Sequence, residues 1–158
     1  MRTKKAPVRT VLPDGKYGST RVTKFIHAVM KDGKKTVAQK QVYSALEIIA
    51  EKTGKKPVEA FEEVIKAIAP QMEVRSRRVG GASYQVPMPV RAKRAFALAL
   101  RWLISEATKR PSKLHHTFAE KLVAEMTDAL ANQGGAINKR NTAHRMADAN
   151  KAFAHFRW

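Results

Sequence analysis

The stretch MEVRSRRVGGASYQVPM, residues 72–88, decides the fold, because the hydrophobic pattern changes there from a helical period to a run richer in β-branched residues. Gly80 and Gly81 separate the two halves of this run, and both accept the positive φ that a tight hairpin turn needs. Pro87 and Pro89 cannot donate to a central ladder, so no third strand is expected beside them. The stretch predicts a two-stranded ribbon that protrudes from its neighbours.

Three arginines lie on the first strand of this ribbon. Alternation along a strand directs Arg75 and Arg77 to one face and Arg78 to the other, and Tyr84 lies on the second strand. An isolated two-stranded ribbon is only marginally stable in water. We therefore interpret the ribbon as an element that reaches toward a partner, rather than as part of the core.

A helix is predicted directly after the ribbon, over about residues 90–109, and it also carries arginines. Arg91, Arg94 and Arg101 fall within about 80° of one another on its helical wheel. Six of the seven basic residues between positions 71 and 103 are arginine. The planar guanidinium matches phosphate oxygens bidentately, whereas lysine acts as a point charge, so this bias favours a phosphate-bearing partner.

Apolar residues at helical spacing predict five further helices. The first follows Ser19, whose hydroxyl is expected to cap it, and it ends at Asp32-Gly33. The fifth begins with a Thr117–Glu120 capping box, and Gly134-Gly135 are expected to end it. The predicted helices cover about residues 19–31, 35–53, 57–69, 117–133 and 137–158.

The predicted fold class is mainly α: a six-helix bundle, with a protruding two-stranded β-hairpin between helices three and four and an extended basic N-terminal arm. Residues 1–18 form this arm, because they lack hydrophobic periodicity and contain several prolines and glycines. We expect the arm to be mobile alone and ordered on a partner. Residues 19–158 are expected to form a single helical domain, with the ribbon at about residues 72–88.

The chain of 158 residues has a formal net charge of +18, from 31 Lys or Arg against 13 Asp or Glu. Residues 1–40, 71–103 and 131–158 are strongly basic, and the segments between them are close to neutral. A large positive charge indicates a polyanionic partner, and its segmentation favours a scaffold with several separate basic contact elements. One of these elements is a stripe on the last predicted helix, formed by Arg140, His144, Lys151 and His155. We interpret this stripe as a contact face rather than a solvated one.

The sequence does not indicate an enzyme, a metal site or a cofactor. Cys is absent, and the five His do not form a ligand set, since His115 and His116 are adjacent and cannot share a helix face. The Gly-x4-Gly-Lys-Ser/Thr spacing of a phosphate-binding loop is also absent. No apolar run reaches the roughly 18 residues of a membrane span, and no apolar signal segment follows the basic N-terminus. We therefore expect a cytoplasmic protein with no membrane and no small-molecule substrate.

Residues 73–94, EVRSRRVGGASYQVPMPVRAKR, closely resemble the signature of the bacterial small-subunit ribosomal protein S-seven family. Three further stretches agree with it in order: KFIHAVMKDGKK from Lys24, LALRWL from Leu98 and HRMADANKAFAHFRW from His144. The resemblance covers essentially the whole chain, and the 22-residue match at the hairpin is far more specific than any short motif.

The resemblance implies a helical protein with a β-ribbon that binds the 3′ major domain of small-subunit rRNA early in assembly and nucleates the head of the subunit. It implies that the ribbon and the C-terminal helix lie near the exit-site tRNA and the mRNA path, and that they touch the platform protein of the S-eleven family. Some members of the family also repress translation of their own operon mRNA.

Residue by residue, the predicted contacts form two sets. The predicted rRNA-binding residues are Arg2, Lys4, Lys5, Arg9, Lys16, Arg21, Lys24, Lys31, Lys34, Lys35, Arg75, Arg77, Arg78, Arg91, Arg94 and Arg101. The predicted tRNA- and mRNA-proximal residues are Val79, Gly80, Gly81, Ala82, Ser83, Tyr84, Arg140, His144, Lys151 and His155.

Two other partner classes remain open from the residues alone. A helical scaffold with a basic ribbon also suits a DNA-binding architectural protein that grips the minor groove with a β-arm. A membrane surface or an acidic protein is a weaker alternative, because the basic helices lack a broad apolar face beside their charge.

Overall fold

The computed structural model describes residue 6 and residues 9–156. Within them the chain forms six α-helices, a two-stranded antiparallel sheet and a terminal 3₁₀ helix, which confirms the predicted mainly α fold with a hairpin between helices three and four. Arg2, Lys4 and Lys5 of the predicted arm lie outside the described residues. The elements are α1 (Thr20–Val29), α2 (Lys35–Thr53), α3 (Pro57–Ile68), β1 (Met72–Val79), β2 (Ala82–Pro89), α4 (Ala92–Lys109), α5 (Phe118–Leu130), α6 (Gly134–Ala149) and the 3₁₀ helix (Lys151–Phe156).

The apolar stripes of the first five helices converge on one core. Phe25 of α1 and Phe61 of α3 stack with ring centroids 4.9 Å apart, and both are fully buried. Leu46, Leu103 and Met126 bring α2, α4 and α5 into the same cluster. Burial of each such side chain stabilises the fold by roughly 1.5–3 kcal/mol relative to exposure, so the core fixes the relative positions of the helices that carry the cations.

The two predicted N-terminal caps have different outcomes. Ser19 occupies the cap position of α1, but its hydroxyl makes no capping hydrogen bond, so that part of the prediction is wrong. The Ser19 carbonyl instead accepts from the Thr23 backbone N–H at 3.2 Å and from its hydroxyl at 3.3 Å. At α5 the Thr117 hydroxyl accepts from the Glu120 N–H at 3.2 Å, as predicted, and the Glu120 carboxylate accepts from the His116 N–H at 2.8 Å.

The sequence pattern predicted that Gly134-Gly135 end α5, and this prediction is wrong. The two glycines begin α6. The α5 helix stops earlier, at Leu130, and the connecting Asn132 adopts a positive φ of 55°. The first turn of α6 lies against acidic side chains of other helices, since the Glu125 carboxylate accepts from the Ala136 N–H at 2.8 Å. A helix N-terminus attracts carboxylates through its free N–H groups, and glycine lets them come close.

The sixth helix is also shorter than predicted, because it ends at Ala149 instead of continuing to the terminus. Asn150 stops it: its side-chain amide donates to the Met146 carbonyl at 2.8 Å, and its backbone N–H also bonds to Met146. The chain then continues as the 3₁₀ helix. This break changes the direction of the stripe that a continuous helix would have presented.

The ribbon is confirmed as a two-stranded antiparallel pair. Gly80 and Gly81 form its turn with φ of 55° and 89°, a combination that favours glycine at both positions. In the register, Arg77 pairs with Tyr84 and Val74 pairs with Pro87. No further strand lies beside β2 within the described residues, which agrees with the prolines in that strand.

Candidate nucleic-acid interface

The base of the ribbon is joined to α4 by an acidic residue that the sequence analysis had not singled out. The Glu73 carboxylate on β1 accepts from Arg94 Nε at 2.6 Å and from Arg75 Nη2 at 2.7 Å. Burial, the largest single influence, would raise the pKa of Glu73, but hydrogen bonds from Arg94 and then Arg75 outweigh it and lower the pKa below its ordinary value of 4.5. Two of the predicted RNA-binding arginines therefore also orient the ribbon, while each side chain remains about half exposed.

The outer part of the ribbon carries Arg77 and Arg78, which differ from each other in exposure. Arg78 is exposed and has no acidic partner among the described residues, whereas Arg77 is half-buried and pairs across the ladder with Tyr84. Strand alternation places Arg78 and Arg77 on opposite faces. Gly80, Gly81, Ala82 and Ser83 at the tip are exposed, and Val79 is half-buried.

The terminal 3₁₀ helix packs on one face of the ribbon through aromatic rings. The Tyr84 ring centroid lies 5.2 Å from that of Phe153 and 5.3 Å from that of Phe156. Aromatic contacts in this range are stabilising beyond simple burial. The ribbon and the C-terminal segment, which the sequence analysis had assigned to one functional region, are therefore adjacent in space.

Two residues of the predicted C-terminal stripe are engaged within the protein. The His144 ring Nε2 accepts from the Gln71 N–H at 3.0 Å, and Arg140 Nη1 donates to the Ala67 carbonyl at 2.5 Å. The two bonds hold α6 against the last turn of α3 and against the segment that leads from α3 into the ribbon. Lys151 and His155 lie on the 3₁₀ helix and are exposed, so they are the members of the stripe that the structure presents to solvent.

A groove between α1 and α4 brings together cations from two separate predicted elements. Arg21 and Lys24 of α1 line it with Lys93 and Arg101 of α4, and the groove has a volume of about 790 Å³. All four side chains are exposed, and only Arg21 has an acidic partner among the described residues. The sequence analysis had considered only the arginines of this helix and did not single out Lys93. Lys93 lies eight residues before Arg101, about 80° from it on the helical wheel, and that spacing could have found it.

The cationic surface has a sharp boundary at Arg21. On the α3 side of this residue a second groove is lined by Glu59, Glu62 and Glu63, and Arg21 Nη1 lies 3.2 Å from Glu62 Oε1. The Arg21 guanidinium also lies 5.8 Å from the centroid of the Phe96 ring, which lines both grooves. These glutamates pair with Arg21, Lys55 and Lys56, and Lys66 also lines the second groove, so charges on the α3 side are largely balanced. The α1–α4 side therefore attracts a polyanion more strongly than the α3 side does.

A further group of cations surrounds the turn between α1 and α2. Lys31, Lys34 and Lys35 are exposed and have no acidic partner among the described residues. Lys31 and Lys34 border a smaller groove of about 360 Å³ with an apolar lining. Arg91 lies at the N-cap of α4, also exposed and without an acidic partner in the described part of the chain.

Residues 14–18, at the end of the predicted arm, form a turn that is held on α2. The buried Asp14 carboxylate accepts from the Tyr43 hydroxyl at 2.8 Å and from the backbone N–H groups of Lys16 and Tyr17 at 3.1 and 3.2 Å. The Lys16 ammonium pairs with Glu47, and this hydrogen bond raises the Lys16 pKa. Lys16 therefore has an acidic partner within the protein. Arg9, nearer the N-terminus of the arm, is exposed.

The described residues contain no cluster of His, Asp and Glu side chains that could hold a metal ion. In that same part of the chain, no helix combines the length and the apolar character needed to cross a bilayer.

A compact helical body with an arginine-bearing ribbon and several separate cationic surfaces is typical of a protein that binds a folded nucleic acid. Comparison with known proteins agrees. The family model of ribosomal protein S7p/S5e matches residues 1–151, and the chain belongs to this family. It is thus a ribosomal protein of the small subunit, which confirms the resemblance seen in the sequence.

Individual relatives match along nearly their whole length. The small ribosomal subunit protein uS7 of Solidesulfovibrio magneticus is 55% identical over 98% of this chain and 99% of its own. The proteins of the same name from Moorella thermoacetica and Sulfurovum sp. are each 54% identical, the latter over the whole of both chains. All three relatives are named as proteins of the small ribosomal subunit.

Proposed function

We propose that the protein binds the 3′ major domain of small-subunit rRNA early in assembly and nucleates the head of the subunit. The α1–α4 groove is the observation that carries this proposal, because it joins four exposed cations on a helical scaffold. Arg78, Arg91 and the three lysines near the α1–α2 turn add separate contact points. Membership of the S7p/S5e family supports the same partner.

The physical mechanism is release of counterions from the RNA backbone. Each Lys or Arg that neutralises a phosphate frees condensed cations, so affinity falls steeply with salt. Backbone contacts fix the register of the protein, while the shape of the folded RNA supplies specificity. Since each cationic surface is fixed by the helical core, only an RNA that places phosphates opposite several of them at once binds tightly.

The test is a filter-binding titration of the 3′ major domain of rRNA between 50 and 200 mM salt. We expect affinity to fall about 10³- to 10⁵-fold over this range, as for some 6–10 phosphate contacts. Lys24→Gln and Arg101→Gln should each reduce the salt slope by about one. Lys55→Gln is the matched control, because Lys55 is a similarly exposed lysine that pairs with Glu63 of α3.

Two results would contradict this proposal. One is a salt slope near zero for the unsubstituted protein. The other is an equal loss from the control substitution, which would mean that only net charge matters. Duplex DNA that competes as well as the structured RNA would favour the DNA-binding alternative.

The ribbon and the terminal 3₁₀ helix are proposed to lie near the exit-site tRNA and the mRNA path, and to touch the platform protein of the S-eleven family. The packing of Tyr84 on Phe153 and Phe156 supports this, because it makes one continuous projecting unit of the exposed ribbon tip and the exposed Lys151 and His155. The same cationic surfaces would serve repression of the protein's own operon mRNA, since an mRNA with a similar fold presents the same phosphates. Its location is then cytoplasmic, in the ribosome.

Site-directed cross-linking tests this placement cleanly, since the chain has no Cys and a single engineered one is unique. A photoreactive group on Ala82→Cys at the exposed tip should cross-link to exit-site tRNA or to the platform protein in reconstituted ribosomes. The control is Ala131→Cys, at the exposed α5–α6 connection. Products from position 131 alone, with none from position 82, would contradict the placement.

A further inference from the structure

We propose that the α1–α4 groove holds one unstacked nucleobase of the RNA against the Phe96 ring, with the flanking phosphates on the cationic rim. This inference rests on the proposed function, because it names the part of the RNA that occupies this groove. It concerns the apolar floor, which binding of phosphates does not explain.

The uncharged lining of the groove, which we call its floor, is apolar except for Ser105. Between the cations it is lined by Ala28 of α1 and by Phe96, Ala97, Leu100 and Ile104 of α4. A sugar–phosphate backbone gains nothing from such a floor, since its charged oxygens need cations and water. A base offers an apolar face that can cover it, so a nucleotide matches both the floor and the rim.

The dimensions and the walls also fit a nucleotide. Small-ligand sites in proteins usually measure about 300–1,000 Å³, and this groove measures about 790 Å³. Arg21 and Lys24 lie on the α1 wall, and Lys93 and Arg101 lie on the α4 wall, so cations are available for phosphates on both sides of an inserted base.

Sequence-specific recognition of RNA commonly uses bases that leave the stack and lie on aromatic rings or guanidinium planes. Phe96 is half-buried, packs against the hydrophobic core and lies beside the Arg21 guanidinium, so the ring and its charged neighbour are already positioned. Base–aromatic stacking changes affinity by roughly 5- to 150-fold when the aromatic residue is removed.

The experiment changes the lining of the groove and keeps all four cations, although Phe96→Leu also removes the ring beside the Arg21 guanidinium. Ala97→Leu and Ala28→Leu add side-chain volume from exposed positions that line the groove, and Phe96→Leu removes the ring while keeping an apolar side chain. Each should weaken binding to the 3′ major domain of rRNA within the 5- to 150-fold range, with an unchanged salt slope. The matched control is Ala131→Leu, an equal change at an exposed site outside the groove, and it should leave binding unaltered.

A cross-link provides an independent readout. Irradiation of the complex at short wavelength should join the RNA to the tryptic peptide of residues 95–101, AFALALR, in which Phe96 is the only aromatic residue. If the filled variants bind with the affinity of the unsubstituted protein and this adduct is absent, the groove binds backbone only and the inference is overturned, while the proposed function stands. If the unsubstituted protein shows no salt-dependent binding, the proposed function itself has failed.

Discussion

At the scale of single residues, acidic side chains decide how the cations are used. Glu73 aligns Arg75 and Arg94, Glu47 holds Lys16, and the exposed basic residues without such partners are left for an external polyanion. In a chain with a net charge of +18 these few carboxylates relieve repulsion where the helices meet. We therefore expect the pairs at these junctions to contribute to stability and the unpaired cations to contribute to binding, with the paired Arg21 at the edge of the groove as an exception.

The most buried carboxylate belongs to such a junction. The Glu125 side chain, 2% exposed, pairs with Arg110 at 2.7 Å and also accepts from the Ala136 N–H. Burial, the largest influence on Arg110, would lower its pKa, but the hydrogen bonds that Arg110 donates to Asp128 and Glu125 outweigh it and raise the pKa. We expect Glu125→Ala to lower the free energy of unfolding by about 1–3 kcal/mol, because it leaves the buried Ala136 N–H without an acceptor and leaves Arg110 with Asp128 as its remaining carboxylate partner.

Denaturant unfolding followed by circular dichroism measures this loss. Glu63→Ala is the control, since it breaks an exposed pair with Lys55 and should cost no more than about 1 kcal/mol. A loss at Glu125 no larger than that of the control would contradict the assignment.

Glu106 gives a prediction about pH. Its pKa lies below the ordinary value of 4.5 because of hydrogen bonds from Lys109 and then Lys139. A carboxyl whose pKa is lower in the folded state stabilises the protein fully above about pH 4.5, and this contribution is lost as the pH falls through the lowered value. Unfolding measured between pH 6 and pH 3 should therefore show a smaller loss of stability in Glu106→Gln than in the unsubstituted protein, and identical pH profiles would contradict this.

At the scale of elements, the start of α6 packs closely against α4. A Cβ on Gly135 would lie 2.6 Å from Glu106 Oε2 and 2.9 Å from its Cγ, and Glu106 is already paired with Lys109 and Lys139. The first turn of α6 can approach α4 only because this position has no side chain.

We expect Gly135→Ala to destabilise the protein by about 1–3 kcal/mol, although alanine is the better helix former, because it overpacks this contact. Glu106→Ala removes the obstructing side chain, so the double substitution should cost less than the sum of the two single ones. Thermal unfolding of the unsubstituted protein, the two single variants and the double variant completes this double-mutant cycle. If the changes in the free energy of unfolding are strictly additive, Gly135 is not restricted by Glu106.

At the scale of the whole molecule, most local signals predicted the structure correctly, although the Ser19 hydroxyl does not cap α1, and several tertiary contacts were not predicted. Gly80-Gly81, Pro57 and Thr117 act through their own backbone or the next turn, so the ribbon, the start of α3 and the cap of α5 followed from the sequence. Gly134-Gly135 carried the signal of a helix end, but the reason for them lies in the packing of α6, since Gly134 lies against side chains of α5 and Gly135 lies against Glu106 of α4.

The candidate interface likewise has properties that the sequence predicts and contacts that it does not predict. Its cationic character and the phosphate-bearing class of partner could be predicted from composition and from the bias toward arginine. The partners of Arg94 and His144, and the apolar floor that Phe96 contributes to the groove, depend on which helices meet, and periodicity along one helix does not contain that information.

The central claim is that this protein binds folded rRNA through several separate cationic surfaces held by one helical core. Chemical footprinting of the complete small-subunit rRNA, with and without the protein, tests it most directly. We predict protection in several segments that are distant in the RNA sequence and confined to the 3′ major domain, with the protection of one segment lost in Arg101→Gln while the others persist. Weak protection spread evenly over the rRNA, or simultaneous loss of every segment in that variant, would contradict the account.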